Sequence, residues 1–426
     1  MSMLDKKWPV SSLNVIDGAS AIRVALSLVP GWSLLDFYCA SSSVVSGGIT
    51  NAIWCIHITC PVPMGTPTYA LVRVFGAGSS VFIDRETDTA RVAALASRGL
   101  GPLLYGAFTN GRVEQWYENT RPLEPAEMGE PELAAAIARA TAALHVGASD
   151  MVTTFAAVVV GGDSSSSSGG DGDDGAVLWG RINSWLDVAA AMGGIECSDR
   201  VARARASAMW AKNALNTNAA AVRWSEAARA RAEAQGESSF IADARAAGAA
   251  AALTIVFAHN DLLSGNVLVS SLEDDKKNEA RHRDVQLIDT EYAAPNYLGF
   301  EIANNWMEIC GFEVDLTLFP SPTARRDWTR AYVRAGGAGI AGATVLAAGS
   351  DCTDAFADEL AISALRFIIA SHLWWGSWAL VQAGQNNDST NTTTTTTTTT
   401  TQEFDYWGYS QRRLILIEKH IAEFFP

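Results

Sequence analysis

The sequence predicts an α+β protein of two lobes, a small β-rich lobe over residues 1–118 and a larger helical lobe over 119–426. Three observations carry that expectation. Apolar runs of strand character cluster before residue 118, with turn residues between them. Beyond a polar break, apolar residues recur at helical spacing almost to the C-terminus. One pair of short β-like runs returns inside the helical half, at VLV (267–269) and VQLID (285–289). Two lobes leave a cleft between them, the usual place for a ligand.

In chain order, VVSGGITNAIWCIHI reads as strand, turn, strand, and YALVRVFG (69–76) as a further strand. DRETDTARVAALASRGLGP then reads as a helix, with Val92, Leu95 and Ala96 on one face and Gly99 and Gly101 ending it. RVEQWYE (112–118) is the last strand before the break. Afterwards Leu133, Ile137, Thr141 and Leu144 repeat at helical spacing, as do residues of WGRINSWLDVAAAM (179–192) and of the alanine-rich region 199–250. Helices follow the second β-like run to the end of the chain.

Three segments stand outside this pattern: the Gly/Ser/Asp stretch at 161–175, the charge-dense stretch at 271–284, and the threonine-rich stretch at 389–401. Each bears too little apolar surface to build a core and has structured sequence on both sides, so all three read as insertions in surface loops. The chain carries 31 Lys plus Arg against 46 Asp plus Glu, a net charge of −15. The three insertions account for −4, −1 and 0 of that, so −10 belongs to the rest. An acidic balance of this size argues against a general nucleic-acid binder and suits a protein that handles cations. Six scattered cysteines lack metal-site or scaffold spacing and read as reduced thiols of a cytoplasmic protein. The N-terminus shows no signal-peptide core, and the longest apolar run, 246–258, is too short to span a bilayer, so no membrane insertion is expected.

The chemistry concentrates in AHNDLLSGNVL (258–268). It holds His259, Asp261, and Asn266 five residues after Asp261. Asp289 closes the apolar run LID further on. An isolated His-x-Asp is usually a capped turn, but the additional Asn and strand-borne Asp give the catalytic arrangement of protein kinases. In it one Asp accepts the proton of the substrate hydroxyl, and the Asn and second Asp hold Mg2+ against the ATP phosphates. Hard amide and carboxylate oxygens suit that ion. The fold class therefore reads as protein-kinase-like, with His259 bracing the loop. Upstream, VSGGITN (45–51) sits where a Gly-rich loop covers phosphates, and Arg73 where protein kinases put a phosphate-pairing Lys. Glu86 and Asp88 of the next helix are placed to orient Arg73.

HNDLLSGNVL, LIDTEYAAPNYLGFEIANNWMEICGF and SHLWWGSWALVQA with EFDYWGYSQRR together resemble the choline/ethanolamine kinases. SGGITN, VRVFG, IDRETD, GLGPLLYGAF and NGRVEQWYE match the family's N-terminal lobe in the same order. The resemblance runs from about Val45 to Ile421. It implies a kinase dependent on ATP and Mg2+ that phosphorylates the hydroxyl of a small amino alcohol. By motif position Asp261 is the catalytic base, and Asn266 and Asp289 are the metal ligands. Ser46, Gly47, Gly48, Thr50, Asn51 and Arg73 face the ATP phosphates, and Gln115 and Tyr117 lie in the connector that binds adenine. Asp88 aligns with the family's helix glutamate, one methylene shorter, with Glu86 as the alternative. Glu301 stands where the family usually has Asp, and Ala303 where it has Gly.

Trp375 and Trp378 lie three apart on an expected helix, and Tyr409 follows the threonine-rich stretch. Aromatics so spaced are more often core than ligand box. The resemblance nevertheless implies that these three enclose the substrate's ammonium with Glu308 as the acid. EFDYWGYS, MEICGFEVDLTLFP and IDRETD look more like ethanolamine kinases than choline kinases. The expected reaction is ethanolamine to phosphoethanolamine, the first step of the CDP-ethanolamine route to phosphatidylethanolamine. A choline kinase or a dual-specificity enzyme is the alternative, because three methyls change burial by only about 0.8 kcal/mol each. An aminoglycoside-type phosphotransferase shares the Asp and Asn but not WWGSW, and a pseudokinase scaffold would not retain the base and both metal ligands. Dimers are common in the resembled family, so a homodimer is a further expectation.

Overall fold

The structure, a computed structural model, describes residues 8–45, 51–76, 84–160, 175–193, 195–215, 217–271, 284–337, 339, 349–389 and 404–424. The three insertions therefore lie almost wholly outside the described residues. The chain forms two compact units. The first comprises Met1–Arg121, Leu268–Arg281 and Gln286–Tyr292; the second comprises Pro122–Val267, His282–Val285 and Ala293–Pro426.

The first unit is built on a six-stranded sheet of β1 (Val10–Ser11), β2 (Ala40–Val45), β3 (Asn51–Ile58), β4 (Tyr69–Phe75), β5 (Leu104–Phe108) and β6 (Gly111–Gln115). Its order is β1-β5-β6-β4-β3-β2, with β1 parallel to β5 and the remaining pairs antiparallel. Helix α1 (Gly18–Leu28) packs on the sheet. Asp17 caps it, accepting the Ser20 N–H at 2.7 Å, and Ala21, Ile22, Val24, Ala25 and Leu28 form its buried stripe. These join Ile56, Ala70, Val72 and Val113 in one core.

Alternation along the strands decides what the opposite face carries. Val72 is paired with Val113 and enters that core, so Arg73 and its partner Arg112 emerge on the other side together with Glu114. Gly111 permits the tight junction before this stretch: a Cβ there would lie 2.1 Å from the Arg73 carbonyl oxygen. Helix α2 (Arg85–Ala96) starts at Asp84, whose carboxylate accepts the Thr87 N–H at 2.7 Å. Gly99 at φ 69° follows its end, a left-handed position suited to glycine.

The second unit contains α3 (Pro131–Gly147), α4 (Met151–Val160), α5 (Leu178–Met192), α6 (Ile195–Ala214), α7 (Thr217–Ala234) and α8 (Ser239–Ala251). After them come α9 (Leu298–Glu308), α10 (Pro322–Tyr332), α11 (Ser350–Ala364), α12 (Ile368–Ser389) and α13 (Tyr406–Phe424). Every residue of α9 is buried, which makes it the axis around which its neighbours pack. A two-stranded antiparallel pair, β8 (Ile255–Ala258) with β11 (Ala294–Tyr297), precedes α9. A further sheet has the order β10-β9-β7, from β7 (Thr120–Pro122), β9 (Val267–Ser270) and β10 (Val285–Leu287).

The strand expected over 112–118 ends at Gln115, and the one expected over 285–289 ends at Leu287, so Asp289 lies just beyond it. Helix α1 had no expectation, nor had the strands β1, β5, β7, β8 and β11.

Candidate active site

The loop after β8 carries the predicted base. Asn260 adopts φ 65°, a left-handed conformation that Asn tolerates better than most side chains, and this turns the chain toward Asp261. The buried loop backbone is satisfied from α9. Glu301 accepts the N–H of His259 and the N–H of Asn260, one on each carboxylate oxygen, both at 2.8 Å. Asn304 Nδ2 donates to the Asn260 carbonyl at 3.1 Å, and Asn305 Nδ2 to that of Leu262 at 3.0 Å. Helical spacing puts residues three and four after Glu301 on its face, so one helix face presents all three partners. Asn296 Nδ2 donates to Asn260 Oδ1 at 2.8 Å. His259 thus braces the loop through its backbone.

Burial raises the Glu301 carboxyl, but His145 at 3.8 Å, His259 and the Asn260 N–H outweigh it and hold the group below its ordinary value. His145 Nδ1 in turn lies 2.9 Å from the Tyr332 hydroxyl. Asn266, in the short turn Ser264–Asn266, points its Nδ2 at Asp261, 3.0 Å from Oδ2 and 2.9 Å from the backbone carbonyl. The predicted base and the predicted amide ligand are therefore in direct contact.

Further along α9, Glu308 meets the aromatic residues. Trp375 and Trp378 of α12 are edge-to-face with centroids 5.8 Å apart, and Trp375 Nε1 donates to Asn304 Oδ1 at 2.9 Å. Tyr409 of α13 accepts from Arg413 Nε at 3.0 Å, and Arg413 also donates to Glu308 Oε1 at 3.4 Å. Burial raises the Glu308 carboxyl, opposed by Arg413 and Trp375. It raises the Tyr409 phenol as well, with the Glu308 and Asp261 charges adding to the effect. All four predicted cation-site residues are thus joined in one cluster, which Asn304 ties to the loop of Asp261 by bonding both Trp375 and the Asn260 carbonyl. Arg413, Phe404, Tyr406 and Phe312 were missed, although Phe404 and Phe312 both pack edge-on to Tyr409. Their signal was position: Arg413 is one helical turn after Tyr409.

In the first unit, Arg73 NH1 lies 3.3 Å from both carboxylate oxygens of Asp289, and Arg73 Nε lies 3.5 Å from Glu114. Asp289 adopts φ 58°. Arg91 of α2 clamps the segment after it, donating to the carbonyls of Thr290 and Glu291 at 3.3 and 3.0 Å. The expected pairing of Asp88 with Arg73 is corrected. Asp88 accepts from Arg112 and lies 3.4 Å from Arg91, while Arg73 is held by Glu114 and Asp289. The reason is geometric, because Arg112 sits opposite Arg73 on the sheet and its guanidinium takes the helix carboxylate. Glu86, the alternative, is exposed. Gln115 Oε1 accepts the Leu103 N–H at 3.2 Å, and burial, with Glu114 and Tyr105, pushes the Tyr117 phenol up to about 12. Ser46, Gly47, Gly48 and Thr50 lie outside the described residues, and Asn51 opens β3 opposite Phe75.

A β-rich unit with a helix bearing a buried carboxylate, joined in sequence to a helical unit whose loop carries Asp and Asn in contact, defines the protein-kinase-like fold. The family model for choline/ethanolamine kinase matches residues 43–418. The chain belongs to the choline/ethanolamine kinase family. It is 26% identical over 388 residues to a probable ethanolamine kinase of Arabidopsis thaliana, covering 91% of this chain and 81% of the relative. It is 27% identical over 379 residues to a choline/ethanolamine kinase of Rattus norvegicus, covering 87% and 77%. Among solved structures, a choline kinase from Cryptosporidium parvum shares the fold with a TM-score of 0.62 at 17% identity, over 95% of each chain. Membership of a kinase family implies ATP as phosphoryl donor. Among the described residues no helix is long and apolar enough to cross a membrane.

Proposed function

We propose that the protein transfers the γ-phosphoryl group of ATP to the hydroxyl of ethanolamine, giving phosphoethanolamine and ADP as the first step of the CDP-ethanolamine route to phosphatidylethanolamine. The observation that carries this reading is the cluster of Glu308, Trp375, Trp378 and Tyr409, tied through Asn304 to the loop that bears Asp261. Aromatic faces attract an ammonium, and a buried carboxylate pairs with its charge and accepts its N–H groups. A primary ammonium uses both features, whereas a quaternary one uses only the first and the charge.

In the reaction the hydroxyl oxygen attacks the γ-phosphorus, the bond to the β–γ bridging oxygen breaks, and ADP departs. Asp261 takes the hydroxyl proton, held in register by Asn266 and by the backbone bonds to Glu301. Arg73 and Asn51 meet the phosphates, and residues Gln115 and Tyr117 receive adenine; the same phosphate role proposed for Ser46, Gly47, Gly48 and Thr50 falls on positions outside the described residues. Asn266 and Asp289 are the residues that would hold Mg2+, which supplies charge neutralisation on the phosphates. Their chemistry fits: Asn266 commits its NH2 group to Asp261 and so keeps its amide oxygen for a cation. Asp289 is 25% exposed, whereas Asp88 and Glu114 are sealed at 0% and 4%. A cytoplasmic location and a homodimer belong to the same proposal.

The second reading, choline or dual specificity, is favoured by the aromatic faces themselves, since they attract any ammonium. Measuring kcat/KM for ethanolamine, its mono- and dimethyl derivatives and choline side by side decides between the two. A preference for choline overturns the first reading.

A further inference from the structure

Arg73 and Arg112 stand directly opposite each other on antiparallel strands, on the sheet face toward α2. Like charges so placed repel, and the register is unfavourable unless an anion lies between them. Glu114 supplies it. Two residues beyond Arg112 on the same strand, it shares that face, accepts from Arg112 Nε, and lies 3.5 Å from Arg73 Nε through the same oxygen. Arg112 gives a second nitrogen to Asp88 of α2. The result is a buried chain, Asp88–Arg112–Glu114–Arg73, of two anions and two cations with no net charge. Arg91 and Arg85 approach Asp88 from its own helix, at 3.4 and 3.9 Å. The far end of Arg73 reaches Asp289, which is partly exposed, as is Arg85 at the Asp88 end.

In protein kinases a helix carboxylate pairs directly with the phosphate-binding cation. Here the helix carboxylate is taken by Arg112, and Glu114 passes the constraint to Arg73. We infer that Arg112 and Glu114 are positioning residues that fix Arg73 for the phosphates of ATP, and so set nucleotide affinity without touching the nucleotide. This rests on the reading of Arg73 as a phosphate ligand.

The test uses the full-length enzyme and a fluorescent ATP analogue titrated without amino alcohol, together with KM for ATP and for ethanolamine. Arg112→Lys keeps the charge but loses the fork that reaches Asp88 and Glu114 at once. Glu114→Gln changes almost no volume and removes the shared anion. Each is expected to weaken nucleotide binding and raise KM for ATP by about tenfold, with KM for ethanolamine unchanged. Combining either with Arg73→Gln is expected to weaken binding no further than Arg73→Gln alone, since both act through that side chain. A role confined to stability would move melting temperature and leave KM for ATP alone. Full additivity with Arg73→Gln, or unaltered nucleotide affinity in the folded Glu114→Gln enzyme, overturns the relay. If Arg112→Lys does not fold, Glu114→Gln decides. An Arg73→Gln enzyme with unaltered affinity overturns the phosphate reading and the relay together. A defective Arg73→Gln enzyme beside unaffected Arg112 and Glu114 variants sinks the relay alone.

Discussion

Glu301→Gln is the substitution whose effect the structure specifies most closely. The Glu301 carboxylate accepts two backbone N–H groups, from His259 and Asn260, each at 2.8 Å, in a site only 1% exposed. Glutamine keeps one acceptor oxygen and turns an NH2 group toward the other N–H. One bond to a charged group, about 1.5–3 kcal/mol, is lost, and a buried donor is left unsatisfied at about 1–3 kcal/mol. Partial relaxation of the loop recovers some of this, so unfolding free energy should fall by about 2–4 kcal/mol. The same loop sets Asp261, where a displacement of about 1 Å costs on the order of 100-fold in rate. Urea unfolding at constant slope reads the first effect and steady-state kcat the second. Glu301 is held below its ordinary value, so its contribution is present above the unfolded value and is lost as pH falls through the folded one. The gap between the two proteins should therefore close in acid. A Glu301→Gln enzyme within about 0.5 kcal/mol of the parent, with kcat within about twofold, would refute the reasoning.

Asp261→Asn should lower kcat by about 100-fold or more while the protein still binds a non-hydrolysable ATP analogue, because Asn266 can bond the new side chain's oxygen; full turnover would exclude Asp261 as base. Burial raises the Glu308 carboxyl, so as pH falls it protonates early and loses its pairing with a cation. KM for ethanolamine should rise in acid while KM for ATP does not, and Glu308→Gln should flatten that dependence; a flat profile in the parent enzyme removes Glu308 from the cation site. Deleting Thr392–Thr401 should leave kcat/KM within about twofold, since loop length enters stability only logarithmically. A folded but inactive deletion would assign that stretch a role.

What the sequence made legible was local chemistry. The spacing of Asp261 and Asn266 forces a tight loop in which the two meet, and helical spacing alone places Trp375 beside Trp378. Partner choice was less legible. Arg112 and Glu114 look like polar positions of an alternating strand, and only the register with β4 shows that the alternation places them against Arg73 on the face toward α2. The resemblance implied Asp88 as the helix acid, but it could not say which of two opposed arginines that carboxylate would meet. Arg413 had no signature apart from its spacing from Tyr409. The short β1 escaped notice because two residues of parallel pairing depend wholly on the partner strand. Buried charges behave this way in general: a chain can announce that a carboxylate is present, but its counter-ion is chosen by strand register and helix phase, which are tertiary facts. Glu301 shows the other side of this rule. It is one methylene longer than the Asp that the resemblance implied, yet it satisfies both loop amides at 2.8 Å, so the longer arm is accommodated by the placement of α9.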